Sequence, residues 1–442
     1  MKNSPKYFAL IMRAIVFTVL SVFTFQLYGQ RVAFQNVHVI PFTSEDVIIE
    51  NQTVLVVGQN IRSISPHQET EIPKGFKVIN GEGLKYLMPG MMDSHSHLPI
   101  TQGLPMPMDD YLFLQLANGV TSLRCCRYEE TAMALRDSLL ENEVLAPRLY
   151  LSSPMLWATH QVGITFDYSK ASTEIPRFKQ EGYDFMKLIN GLNPYTHKSI
   201  LEACKESNLP LVGHLPRSVG LDYAISSGQN DIEHFQGYAD MIGNEESKLD
   251  SFIQETANHN IYNCPTIFWY DANAPFLEKE YLGNIEGLEY IHPDLRATWE
   301  ENYDKYRDVF LREQPDAINK RKKVLEKFAS SNARLLLSHG DGDYCVPGYG
   351  MLEEAKIWQA AGIDNYRILE SACKNPALFF SQEDQWGTVE VDKYADLILL
   401  DKNPLDDIEN IRGIEGVMLL GKWLSKDDIA QGLKQIEASH TK

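Results

Sequence analysis

Cysteine is scarce in this chain: six in 442 residues, with no Cys-x-x-Cys pair. That excludes a disulfide-stapled scaffold and a zinc ribbon, although Cys125, Cys126, Cys204, Cys264, Cys345 and Cys373 leave one or two bridges open. Positive charge is also short. Lys and Arg number 41 against 60 Asp and Glu, a net −19, and a field of that sign repels phosphate backbones and anionic lipid. Nucleic acid is therefore not an expected partner. No glycine-rich turn follows the first candidate strand of the α/β region, so an open doubly wound sheet would lack its phosphate site. Long apolar runs are missing apart from Ala14–Phe25, and those 12 residues fall short of a comfortable bilayer span. Lys2, Lys6 and Arg13 flank it on one side and Leu27-Tyr28-Gly29 on the other, the pattern of a secretory signal over residues 1–29. An uncleaved N-terminal anchor is the alternative. No Cys lies near the segment, which excludes lipoprotein-type acylation. The expected compartment is periplasmic or extracellular, with no membrane contact after cleavage.

The remainder reads as globular, at 44% hydrophobic and 23% charged residues. Both ends are rich in short strands: Val54–Val57, a Gly58-Gln59 turn and Ile61–Ile64 near the start, Leu397–Leu400 and Gly416–Leu424 near the finish. Between them, eight apolar stretches alternate with helical patterns: Met91–His97, Val120–Arg124, Arg148–Ser152, Asp184–Ile189, Pro210–His214, Asp231–His234, Tyr262–Phe268 and Arg334–His339. Eightfold alternation is the arithmetic of a (β/α)8 barrel. The expected fold class is α/β, a TIM barrel over 89–386 with a small β-sandwich domain formed from both chain ends, 30–88 and 387–442. An acidic, aromatic segment at about 243–331 is expected as a helical insert, either a lid over the mouth or a solvated addition.

Asp93-Ser94-His95-Ser96-His97 puts two imidazoles on one face of a strand, because side chains alternate with period two. A lone His-x-His is weak. Lys187, His214, His234, His339 and Asp341 also sit at or near strand ends, and barrel strands converge at their C-terminal ends. Each histidine alone could be a satisfied core residue; the shared placement is what carries weight.

These segments resemble the metal-dependent amidohydrolase superfamily, and most closely its imidazolonepropionase-like and prolidase-like branch. Leu87-Met88-Pro89-Gly90-Met91-Met92-Asp93-Ser94-His95-Ser96-His97 is similar to the family's first-strand signature. Gly119-Val120-Thr121-Ser122-Leu123-Arg124 is similar to the second, although Cys125 stands where an acidic residue often follows. Gly182–Leu188, Gly213-His214-Leu215-Pro216 and Ile232-Glu233-His234 resemble the fourth to sixth, and Gly387–Leu397 with Asn403-Pro404-Leu405 the C-terminal motif.

The resemblance implies metal ligation by His95, His97, Lys187, His214, His234 and Asp341, with one or two divalent ions, zinc foremost. Lys187 would bridge two ions as a carbamate; its alternative role is a cation paired with a carboxylate in a one-metal site. Asp341 would be the catalytic base, with Asp343 as the alternative, and His339 a structural neighbour. Asp93 would support the site from below. Arg124, His160, Tyr195 and Arg217 are the candidate substrate contacts. The implied activity is hydrolysis of an amide-like C–N bond in a dipeptide, N-acyl amino acid or cyclic amide by metal-activated water. A lactonase or phosphoester hydrolase on the same site is the nearest alternative, and a non-catalytic binding protein a more distant one. The partner expected is a small-molecule substrate, with room left for a homo-oligomer.

Overall fold

The computed structural model describes residues 30–43, 47–100, 104–141, 144–154, 170–189, 192–269, 282–313, 316–340 and 342–440. The leader expected at 1–29, His160 and Asp341 lie outside the described residues. Five strands come first: β1 (Arg31–Val39), β2 (Ile49–Val57), β3 (Asn60–Pro66), β4 (Lys77–Asn80) and β5 (Tyr86–Pro89). Eight short ones follow: β6 (Met91–Ser96), β7 (Val120–Cys125), β8 (Arg148–Leu151), β9 (Met186–Leu188), β10 (Leu211–Gly213), β11 (Asp231–Glu233), β12 (Tyr262–Cys264) and β13 (Arg334–Leu335). The last three are β14 (Leu397–Leu400), β15 (Ile414–Leu419) and β16 (Lys422–Ser425).

The chain ends meet in one eight-stranded sheet, in the order β16-β15-β14-β5-β1-β2-β3 with β4 beside β1. Its seam is the antiparallel pair β5–β14, where Leu87 faces Leu399. Gly58 takes φ 64° and closes a two-residue turn, so Val57 pairs with Asn60. Val32, Phe34, Val54, Val56, Leu397, Leu399 and Met418 pack as its fully buried core. At the C-terminus, Ser425 and Asp428 form a capping box that starts the helix Lys426–Ser439. Ile429 of that helix buries with Leu116 and Ala117 of the helix Met108–Ala117, and so ties the chain end to the middle region.

In the middle every described strand pairing is parallel: β6 with β7, β7 with β8, β9 with β10, β11 with β12 and β12 with β13. A parallel bridge Ser152–Phe185 joins β8 to β9, and Asn230 N donates to Leu211 O between β10 and β11. Ser94 N donates to Leu337 O at 3.2 Å, which returns the last strand to the first. Helices lie between successive strands, as parallel connections require. The helix Pro194–Glu206 shows the local logic: Asn193 caps it by accepting from Thr196 N at 3.0 Å, and Pro194 stands at its first position. Gly213 ends β10 at φ 127°, where a Cβ would meet Leu188 O at 2.3 Å.

All eight stretches read from sequence contain a strand. The insert expected at about 243–331 is corrected. The helix Glu246–Asn258 and β12 continue the regular alternation, so the long connection begins after Cys264 and ends before β13. Its helices Pro293–Glu313 and Ala317–Ala329 dock rather than stand in solvent. Trp299 and Tyr303 bury with Tyr344, Cys345 and Val346, and Trp299 Nε1 donates to Asp343 Oδ1 at 3.1 Å. All six cysteines are buried and free. Among the described residues no helix is long and apolar enough to cross a membrane.

Candidate metal centre

Four histidines from three strand ends form a chain of ring contacts. His97 and His95 follow β6 positions of one face, with centroids 5.1 Å apart. His95 lies 4.8 Å from His234 after β11, and His234 lies 5.1 Å from His214 after β10. The backbone is bent to achieve this. His234 and Phe235 take φ 61° and 50°, and Thr266 takes 47°. Left-handed backbone is rare for a β-branched residue and is concentrated at functional sites. The two strained segments are joined: His234 N donates to Cys264 O at 2.8 Å, and His234 Nδ1 lies 2.6 Å from Thr266 Oγ1.

At the centre stands a carboxylate that sequence reading passed over. Glu233 Oε1 is 3.0 Å from His95 Nδ1, and Oε2 is 3.9 Å from His234 Nε2 and paired with Lys187 Nζ. Donor atoms of His95, Glu233 and His234 all fall within 4.8 Å of one another. A signal did exist. Period-two alternation puts Asp231 and Glu233 on the same face of β11, and both are fully buried. Two acidic residues directed into an interior need a cation to meet them.

Burial sets the protonation of the site. It pushes His95, His97 and His234 below the usual histidine value, and nearby cations, Lys187 among them, act in the same direction. His214 is pushed down to about 3 by burial and by Lys187. The imidazoles are therefore neutral lone-pair donors at pH 7. For Glu233 burial acts upward, but His95 and Lys187 beside it hold its carboxyl well below the ordinary range. His214 Nδ1 is buried with no hydrogen-bond partner among the described residues. Neutral imidazoles and an orphaned ring nitrogen, with a carboxylate beside them, suit a divalent ion of the zinc kind.

Below the centre, Asp93 is a support, as the sequence suggested. It accepts from His95 N at 3.3 Å and from Ser338 Oγ, and His339 Nε2 lies 3.3 Å from its other oxygen. Burial raises its carboxyl pKa, and the His339 contact outweighs that. The proposed substrate contacts scatter. Arg124 is completely buried and paired with Asp231 at 2.8 Å, so no face of it is open to a substrate. Tyr195 is 82% exposed on the first turn of its helix. Arg217 is exposed and lines a side cavity of about 360 Å³ with Asp222, Asp240 and Glu245. Neither Tyr195 nor Arg217 has a described contact with the four histidines. Trp269, which carried no functional expectation, does: its ring lies 5.6 Å from that of His234.

Comparison with known proteins agrees with the resemblance. Residues 338–424 match the amidohydrolase family. No curated protein sequence matches the chain. Solved structures share its fold at low identity. Bottromycin amidohydrolase aligns with TM-score 0.69 at 17% identity, covering 93% of this chain and 90% of that one. A Xaa-Pro dipeptidase with methionine bound in its active site gives 0.68 at 15%, covering 90% and 100%. Molinate hydrolase gives 0.68 at 15%, covering 90% and 95%.

Proposed function

We propose that this chain, an amidohydrolase of the prolidase-like kind by its family match and its fold, is an exported metal-dependent hydrolase of amide-like C–N bonds. The substrate class is a dipeptide, an N-acyl amino acid or a cyclic amide. The observation that carries the reading is the packing of His95, His97, His214 and His234 around Glu233 at the ends of three parallel strands. The closed succession of parallel strands supports a (β/α)8 barrel, with the shared sheet of the two chain ends as its sandwich domain. The apolar segment Ala14–Phe25 with its basic flank supports export to the periplasm or medium.

His95, His97, His214 and His234 would hold the metal, joined by Asp341; Lys187 pairs with Glu233 as a cation in the metal-free chain, and would join them as a carbamate only once that pair is given up. A bound divalent ion acidifies a water and polarises the scissile carbonyl. The protein's own groups do the rest. Thr266 orients His234 through Nδ1 and leaves its Nε2 for the ion, and the Glu233 carboxylate stands 3.0 Å from His95 Nδ1. Asp341 takes the proton of the attacking water and passes it to the leaving nitrogen. The half-buried Trp269 beside His234 offers an apolar wall.

The test is hydrolysis of a panel of dipeptides, N-acyl amino acids and cyclic amides by the wild type and by His95→Ala. Turnover of at least one class, abolished in the variant, is expected. Turnover unchanged in His95→Ala would overturn the reading.

A further inference from the structure

Strands β6 and β11 are not neighbours. No backbone ladder fixes the distance between His95 on one and Glu233 on the other, yet the site depends on that distance. One side chain spans the gap. Arg124, on β7, sends Nε to the Ser94 carbonyl, the residue before His95. Its Nη2 lies 2.8 Å from Asp231 Oδ2 and 3.6 Å from Glu233 Oε1, both on β11. The guanidinium is completely buried and sits over the Phe379 ring, 5.2 Å from its centroid. The Nε bond to the Ser94 carbonyl fixes the direction of the guanidinium, and its charge then faces Asp231 and Glu233 as an ion pair; a flexible ammonium would keep the charge without that direction.

We infer that Arg124 is the positioning residue of the metal centre, setting the place and plane of the Glu233 carboxylate and, through it, the orientation of His95 and Lys187. This rests on the metal-centre reading above. Glu233 Oε1 lies 3.0 Å from His95 Nδ1, close enough to act on that ring, while Oε2 pairs with Lys187 Nζ. A carboxylate behind a ligand histidine fixes its tautomer and ring orientation, and loss of such a partner weakens metal binding by about 10–100-fold. Asp231 shares the guanidinium and keeps it from swinging toward the site.

The experiment measures Zn2+ affinity by chelator competition and the Co2+ absorption spectrum on the full chain. It compares wild type, Arg124→Met, Arg124→Lys, Glu233→Gln, the Arg124→Met/Glu233→Gln double variant and His95→Ala. Glu233→Gln and Arg124→Met are each expected to weaken Zn2+ binding about 10–100-fold. The double variant should be no weaker than Glu233→Gln, because Arg124 acts through that carboxylate. Arg124→Lys keeps the charge and loses the fork, so it should bind with a shifted Co2+ spectrum. If Arg124→Met does not fold, Arg124→Lys and Glu233→Gln carry the comparison. Wild-type affinity and spectrum in both Arg124 variants, or losses that multiply in the double variant, would overturn the assignment. A loss in Glu233→Gln as large as in His95→Ala would make Glu233 a ligand and would also overturn it. Absence of Zn2+ and Co2+ binding in the wild type would instead overturn the metal-hydrolase reading itself.

Discussion

Acid should destabilise the metal-free protein through its buried histidines, and the sign can be worked out group by group. His214 has its pKa pushed from 6.5 down to about 3 in the folded chain. Between those values the unfolded chain binds a proton that the native site refuses, so stability falls as pH falls. From pH 7 to about pH 4.5 this one residue costs about 2–3 kcal/mol. Asp231 acts oppositely. Burial raises its carboxyl to about 6, against 3.8 when free, with Arg124 restraining the rise. As pH falls through about 6 the folded state gains about 2 kcal/mol from it. His95, His97 and His234 are all shifted in the direction of His214, so the balance is a net loss in acid. Urea unfolding of chelator-treated protein at both pH values measures it. The His214→Gln variant should lose about 2–3 kcal/mol less than wild type over the same interval. Equal acid sensitivity in the two proteins would refute the assignment of His214 as a half-buried neutral imidazole.

Two further predictions concern the scaffold. Gly213→Ala places a Cβ 2.3 Å from Leu188 O at a φ of 127°, so it should destabilise by at least about 1–3 kcal/mol, read as a lower urea midpoint. Ser425→Ala removes the capping box of the C-terminal helix and should cost about 1 kcal/mol. Because that helix lies on the Met108–Ala117 helix and away from the histidines, hydrolysis should be unchanged while hydrogen exchange in Lys426–Ser439 rises.

Most of the scaffold could be read from sequence because local chemistry determines it. Apolar stretches such as Leu211–Gly213 and Leu397–Leu400 are fully buried strands, and the hairpin at Gly58 follows from one glycine. The histidines were legible because each stands at or just after the end of a parallel strand. What stayed hidden depends on through-space partners. Arg124 reads like any loop-edge arginine until Asp231, Glu233 and the Ser94 carbonyl are seen around it. Glu233 was visible as a letter beside His234, but its contact with His95 crosses from one side of the interior to the other. The left-handed backbone at His234 and Thr266 has no sequence signal, since neither is a glycine. The expected insert overlaps a stretch that also reads as strand, Tyr262–Phe268, because the acidic and aromatic composition runs through both the regular helix Glu246–Asn258 and the long connection after Cys264. The interior is also unusually charged, with Arg124, Asp231, Glu233, Lys187 and Asp93 all buried within it. Such a charged interior needs full pairing, and the contacts around Arg124 and Asp93 supply much of it.

The most direct test is the metal content of the full protein, purified without chelator and with bicarbonate present, alongside Lys187→Ala. The account predicts one or two divalent ions per chain in the wild type, with amide hydrolysis lost on chelation and regained on adding zinc, and a lower content in the variant. A wild-type protein that holds no divalent ion and hydrolyses amides equally well in the presence of chelator would contradict it.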